Sequence, residues 1–219
     1  DIALLHGSAG CGKTTALQYF HQQLDPNSYK VAYIPTDSIN FGEVCKYALN
    51  GLNLNVPYAK NKAIRELKQY IAELHKDKGI KSVIIIDEVQ ELSVECLKSL
   101  KNLVNFDMDS QNRMLLILCG QKDFLPTLEL EALTCLKRRI RISYEMKELT
   151  LADTEKYIKH NLGLAGLIRP LFPDDVVSQI YAVTKGNISE INKLCFNMIN
   201  IAVSESKEIM ELSILEKAC

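Results

Sequence analysis

Ile2-Ala3-Leu4-Leu5-His6-Gly7-Ser8-Ala9-Gly10-Cys11-Gly12-Lys13-Thr14 sets an apolar run directly before a loop of the form GxxxxGK[ST]. Each fixed position has a physical task. The glycines let successive backbone N–H groups turn inward around a polyphosphate, Lys13 reaches its outer phosphates, and Thr14 offers a hydroxyl to Mg2+. Downstream, Leu17, Phe20 and Leu24 form the apolar stripe of a helix that ends before the turn Asp25-Pro26-Asn27-Ser28. The positive N-terminal end of that helix favours an anion. Strand, glycine-rich loop and helix in that order predict a nucleoside-triphosphate site built from Gly7, Ser8, Ala9, Gly10, Cys11, Gly12, Lys13 and Thr14, with Thr15 continuing it.

Working outward, apolar runs bounded by turns recur at residues 2–5, 31–34, 83–86 and 114–118, with helical periodicity between them. That alternation predicts a parallel sheet with crossover helices, and unbroken Val, Ile and Leu runs predict strands covered on both faces. Residues 139–144 are expected to add a fifth strand. Ile64, Leu67, Ile71 and Leu74 trace one amphipathic helix, with Lys62, Arg65 and Lys68 off the stripe. A second helix is expected to start near Ser93 and bury Leu97, Leu100 and Val104. From about Leu149 the pattern is helical only. Thr150 and Asp153 have capping-box spacing, Pro173 opens the next helix, Ile191 to Ile201 trace a third, and residues 210–217 a short fourth. The expected architecture is therefore an α/β core over residues 1–147 and a small helical subdomain over 148–219.

Composition sets the outer limits. The 219 residues are 47% hydrophobic and 24% charged, enough for a substantial core. No apolar run reaches the ~18 residues of a membrane span and no export leader is evident, so a cytoplasmic location is expected. The chain opens at Asp1, without a methionine, which predicts a piece of a longer protein. Seven cysteines without a CxxC pair, most of them inside apolar patterns, read as reduced core thiols, not as disulfides or a zinc site. A net charge of −1 excludes a globally basic nucleic-acid binder, although a local basic surface remains compatible with it.

The remaining chemistry gathers after the third and fourth runs. Val83-Ile84-Ile85-Ile86-Asp87-Glu88 is a buried strand ending in two carboxylates. Asp87 at its C-terminal end is expected in the Mg2+ shell, and Glu88 is expected to orient or deprotonate a water attacking the γ-phosphate. Gln121, just after the fourth run, is a candidate contact for that phosphate or water. Lys137, Arg138, Arg139 and Arg141 form the densest basic cluster in the chain, from which one arginine could reach the nucleotide of a neighbouring subunit. Asn61-Lys62-Ala63-Ile64 and Asn192-Lys193-Leu194-Cys195 lack the aspartate of the guanine-reading NKxD pattern, so ATP is the expected nucleotide.

With the loop at 7–14, Asp87-Glu88, a polar residue after the fourth strand, an arginine before the fifth and a helical lid, the chain resembles the AAA+ ATPases. Within them it is most similar to the ExeA-like group, which also takes in MuB-, TniB- and TnsC-type transposition ATPases. The stretches that carry this are Leu116-Ile117-Leu118-Cys119-Gly120-Gln121, Lys137-Arg138-Arg139-Ile140, Tyr157-Ile158-Lys159-His160-Asn161-Leu162-Gly163-Leu164-Ala165-Gly166 and Leu171-Phe172-Pro173. The resemblance implies a three-layer P-loop core with a five-stranded parallel sheet, Mg2+ and ATP as ligands, Gln121 as sensor 1 and Arg139 as arginine finger. Where this group often reads G-x-P-R, this chain has Gly186-Asn187-Ile188-Ser189, without the proline or the sensor 2 arginine. That departure implies slow or weakly coupled hydrolysis.

The leading expectation is an ATPase that forms rings or filaments, on double-stranded DNA, and serves a transposase as target selector or activator. Lys60, Lys62, Arg65 and Lys68 are the first candidates for DNA backbone contacts. The alternatives are an accessory ATPase working with secretion-system proteins, and a nucleotide-gated interaction switch with little hydrolysis. A small-molecule kinase is disfavoured, because Asp87-Glu88 supplies a water-activating pair.

Overall fold

A computed structural model describes residues 1–36, 39–105, 113–167, 169–207 and 209–218. Cys219, one of the cysteines read as a free thiol, lies outside the described residues. The described chain divides into two compact units, residues 1–7 with 13–146 and residues 8–12 with 147–219.

In the first unit, β1 (Ile2–Gly7), β2 (Tyr29–Pro35), β3 (Lys81–Asp87), β4 (Met114–Gly120) and β5 (Ile140–Met146) form one parallel sheet in the order β2-β3-β4-β1-β5. Side chains alternate across a strand, so each buried run serves two cores. Ile84 and Ile86 of β3 join Ile2, Leu4, Ile34, Leu116 and Leu118 on one face. Val83 and Ile85 join Ile117 and Cys119 on the other. The second face is covered by α1 (Lys13–Gln23) through Leu17 and Phe20. The first is covered by α2 (Phe41–Gly51), α3 (Lys60–Lys78), α4 (Val94–Leu100), α5 (Phe124–Leu128) and α6 (Thr134–Lys137). Three layers result because no interior strand has a face left for water.

Local signals set the helix boundaries. Asn40 and Glu43 satisfy each other's backbone N–H groups in a capping box at the start of α2. In α3, Ala63, Leu67, Ile71 and Leu74 are buried, which matches the stripe read from the sequence except that Ile64 lies at its margin. The strand β4 runs two residues beyond the apolar stretch, through Cys119 and Gly120, so Gln121 follows the strand directly. At the opposite edge of the sheet from β2, β5 is mostly exposed, with Ile142 and Tyr144 facing outward. The expectation of strands covered on both faces therefore holds for the interior strands only.

The second unit contains α7 (Leu151–Leu164), α8 (Asp174–Thr184), α9 (Ile188–Ser204) and α10 (Leu212–Ala218). Their apolar faces meet in a separate core that includes Ile158, Phe172, Ile180, Ile191, Met198 and Ile214. Thr150 caps α7 by accepting from Asp153 N, as its spacing predicts. Residues 8–12 cluster with these helices.

Candidate functional site

In the first unit the C-terminal ends of β1 and β3 bring together what the sequence holds far apart. Gly7 ends β1, and the buried Lys13 side chain folds back so that Nζ donates to Gly7 O at 3.0 Å. Thr14 Oγ1 donates to Asp87 Oδ2 at 3.0 Å, across 73 residues of sequence. Asp87 is 3% exposed, yet its carboxylate is well supplied with donors. Tyr33 of β2 donates to Oδ2 at 2.7 Å, and Glu88 N donates to Oδ1 at 3.0 Å. Burial, and then the Asp87 carboxylate beside it, push the Tyr33 phenol well above its ordinary range. The same two causes raise the Cys119 thiol. A hydroxyl and a carboxylate converging in this way are hard oxygen donors of the kind Mg2+ takes when phosphates complete its shell, so the residues fit that ion.

Glu88 stands in the left-handed backbone region at φ 52°, ψ 45°, uncommon for a residue with a side chain. Thr36, 5% exposed, shares its hydroxyl hydrogen between Asp87 O at 2.6 Å and Glu88 O at 2.8 Å, holding the turn. Gln90 Nε2 donates to Glu88 Oε2. Gln121 also approaches, with Nε2 at 3.5 Å from the same oxygen. Tyr33, Thr36 and Gln90 were not expected from the sequence. The only signal for Gln90 was its position two residues after the paired carboxylates.

The second unit holds the crest of the glycine-rich loop. Gly10 has φ +75°, and a Cβ there would stand 2.6 Å from Asn187 Oδ1, which restricts the position to glycine. Asn187 Nδ2 donates to Ala9 O at 2.7 Å, and Ser189 N donates to Gly10 O at 3.1 Å. Asn187 Oδ1 meanwhile accepts from Ser189 N and Glu190 N, capping α9. The segment that lacks the expected arginine thus grips the loop through its backbone. Cys11 is buried, while Ala9 and Gly10 are exposed.

Arg139 is not brought to this constellation. It precedes β5, and Ile140 pairs with Ile2 at the start of β1, whereas Gly7 and Asp87 end their strands. The length of a seven-residue strand separates the two sheet edges, roughly 20 Å. Arg139 is half-buried there and lines a depression with Arg138, Lys101 and Asn105. Along α3, Lys60 and Lys62 are exposed and each pairs at 3.6 Å with an acid, Glu43 and Glu66 respectively. Arg65 is exposed and Lys68 half-buried.

Comparison with known proteins places this geometry among relatives. Residues 1–128 match the model of the family described as AAA domain. The chain is 28% identical over 197 residues to "General secretion pathway protein A" of Aeromonas hydrophila, covering 89% of this chain and 36% of that protein. Among solved structures it is similar to Cdc6p of Pyrobaculum aerophilum (TM-score 0.76, 16% identity, 99% of this chain and 59% of that one). It is also similar to the ADP form of Aeropyrum pernix ORC2 (TM-score 0.71, 14% identity, 100% and 62%). The RuvB branch migration motor of Thermotoga maritima gives a TM-score of 0.65 at 17% identity, covering 100% and 60%. The chain thus spans about a third of the curated relative and about three fifths of these structures. The P-loop AAA+ fold expected from the sequence is the fold observed. Among the described residues no helix is long and apolar enough to cross a membrane.

Proposed function

We propose, from the premise that this chain belongs to the AAA domain family, that it binds ATP with Mg2+ and hydrolyses it to ADP and phosphate. The observation that carries this reading is the bond from Thr14 Oγ1 to Asp87 Oδ2, with Glu88 as the next residue. Residues 7–15 would wrap the phosphates, Lys13 meeting the outer two. Thr14 and Asp87 would hold Mg2+, which when bound offsets phosphate charge and polarises the γ-phosphoryl group. Glu88 takes a proton from a water whose oxygen forms a bond to the γ-phosphorus. The bond from that phosphorus to its bridging oxygen breaks, and ADP leaves with the electron pair. Gln121 would contact the γ-phosphate or the water. Arg139, at the far edge of the sheet, suits a finger acting on the nucleotide of a neighbouring copy in a ring or filament. We assign the ATPase core to residues 1–147 and the lid to 148–219.

For the wider role, the similarity to General secretion pathway protein A favours an accessory ATPase of a secretion system. The transposition reading follows the sequence resemblance, with DNA backbone contact by Lys60, Lys62, Arg65 and Lys68. The test is steady-state ATP turnover and ATP binding by wild type, Lys13→Ala and Glu88→Gln. Loss of binding in the first variant and loss of turnover with retained binding in the second are expected. Turnover indifferent to Glu88→Gln would leave only a nucleotide-gated switch. Sedimentation with duplex DNA, with and without ATP, separates the transposition reading from the secretion reading.

A further inference from the structure

Glu88 occupies a backbone conformation that costs about 1 kcal/mol for a residue with a side chain, and its carboxylate is held by a side chain from its own turn. Gln90 donates from Nε2 to Glu88 Oε2 and accepts at Oε1 from Gln121 N at 3.1 Å. The two ends of this amide have opposite hydrogen-bonding characters, so its orientation is fixed. A flipped amide would set an N–H against the Gln121 N–H and an oxygen against the carboxylate. The end of β4 is bare where Gln90 approaches it. A Cβ on Gly120 would lie 2.9 Å from Gln90 Oε1 and 2.7 Å from Val89 Cγ1. The Gln121 side chain stands at the outer limit of hydrogen bonding to Glu88, so Gln90 is the firmer holder of the carboxylate.

We propose that Gln90 is a positioning residue that ties the Glu88 carboxylate to the backbone of Gln121, so that displacement at the end of β4 is transmitted to the group that takes the water proton. The proposal rests on the reading of Glu88 as general base. With Oε2 held by Gln90, Oε1 is the oxygen that meets the water. A phosphate drawing Gln121 toward itself would pull on the amide and turn the carboxylate with it, linking recognition of the γ-phosphate to the aim of the base.

The first measurement uses nucleotide-free protein: hydrogen exchange at the Gln121 amide, protected in wild type, is expected to be about tenfold faster or more in Gln90→Ala. The second is ATP turnover. In Gln90→Ala, kcat is expected to fall about tenfold or more while KM and the Kd for ATP with Mg2+ change less than about twofold, since only aim at the transition state is lost. Gln90→Ala and Gln121→Ala are expected to be non-additive in kcat. If Glu88→Gln abolishes turnover while Gln90→Ala leaves kcat unchanged, the Gln90 role is overturned and the base reading stands. If Glu88→Gln leaves turnover intact, the base reading falls and takes this one with it. Equal losses in kcat, ATP binding and melting temperature for Gln90→Ala would also overturn it.

Discussion

Tyr33 of β2 donates its phenolic hydrogen to Asp87 Oδ2 at 2.7 Å, although 54 residues separate the two in sequence. The parallel register between β2 and β3 makes this reach possible, since Pro35 pairs with Asp87 and Tyr33 with Ile85. The bond stabilises the carboxylate and fixes the rotamer that also accepts from Thr14. Tyr33→Phe is expected to reduce stability by about 1 kcal/mol, because the residue is 42% exposed and water replaces part of the loss. It is also expected to weaken the Mg2+ dependence of ATP binding severalfold, read by titrating Mg2+ against a fluorescent ATP analogue. The pH dependence has a definite sign. Burial and Asp87 raise the folded phenol above its ordinary value of 10.0, so its contribution is complete below that pH and is lost as pH rises beyond it. The stability difference between wild type and Tyr33→Phe, measured by urea unfolding, is therefore expected to be flat from pH 6 to 9 and to shrink above about pH 10.

Thr36 supports the same turn from the other side. Its hydroxyl reaches two carbonyl oxygens at 2.6 and 2.8 Å, where hardly any water competes. Thr36→Val keeps the shape and leaves those carbonyls short of a donor, at a cost of about 1–3 kcal/mol. Turnover is expected to fall more than ATP affinity, because the Glu88 backbone loses a restraint. Thr36→Ser, which restores the hydroxyl, is expected to recover most of both. Equal loss in Thr36→Ser and Thr36→Val would show that the methyl group matters rather than the bond.

The interior strands were legible because runs such as Val83 to Ile86 bury every position, and two-sided burial leaves an unbroken apolar signal. The fifth strand was harder to read. Ile142 and Tyr144 lie exposed between Arg141, Ser143 and Glu145 on an edge strand, where hydrophobic burial no longer dictates residue type. Helix α2 carries one local sequence signal, the reciprocal cap spacing of Asn40 and Glu43. The residues expected at the nucleotide came from a local motif that encodes its own geometry. Tyr33, Thr36 and Gln90 are not legible in the sequence because their partners are set by strand register and by the left-handed turn at Glu88, which no spacing rule specifies. The separation of Arg139 from Asp87 is likewise a matter of which strand end each occupies.

In the second unit, Gly186 and Asn187 define the entry to α9. Gly186 has φ +80°, and a Cβ there would stand 2.0 Å from Leu149 O, which no side-chain adjustment relieves. Gly186 O also accepts from Leu149 N at 3.0 Å, so the two segments cannot move apart without losing that bond. Gly186→Ala is expected to destabilise the protein by about 2 kcal/mol or more. Asn187→Ala removes the α9 cap and the bond to Ala9 O, and is expected to cost about 1 kcal/mol. The two variants differ in a second respect, since Asn187→Ala is expected to leave the fold intact while speeding hydrogen exchange around residues 8–12. Differential scanning calorimetry with peptide-level exchange would separate these effects. Unchanged exchange in the loop would mean that Asn187 serves α9 alone.

Thiol reactivity reads the same burial from outside. Burial pushes Cys45 up to about 12, Cys96 up to about 11 and Cys195 up to about 12, so each remains a poorly nucleophilic thiol at any pH the fold tolerates. Cys11 and Cys119 are buried as core thiols, whereas Cys135 is exposed and Cys195 half-buried, so the expectation of core thiols fails at these two. Iodoacetamide at pH 8, followed by peptide mass spectrometry, is expected to modify Cys135 first, the half-buried Cys195 more slowly, and Cys45 and Cys96 only as fast as the chain opens. In urea above the unfolding midpoint all should react at similar rates. The linkage has a sign here as well. Each raised thiol keeps its proton in the folded chain while the unfolded chain loses it above about pH 9, so stability is expected to decline from pH 9 upward. Replacing Cys45 by Ala would remove part of that alkaline decline at the cost of a small cavity. Fast native-state labelling of Cys45 at pH 8 would contradict the packing of α2 against α3 and α4.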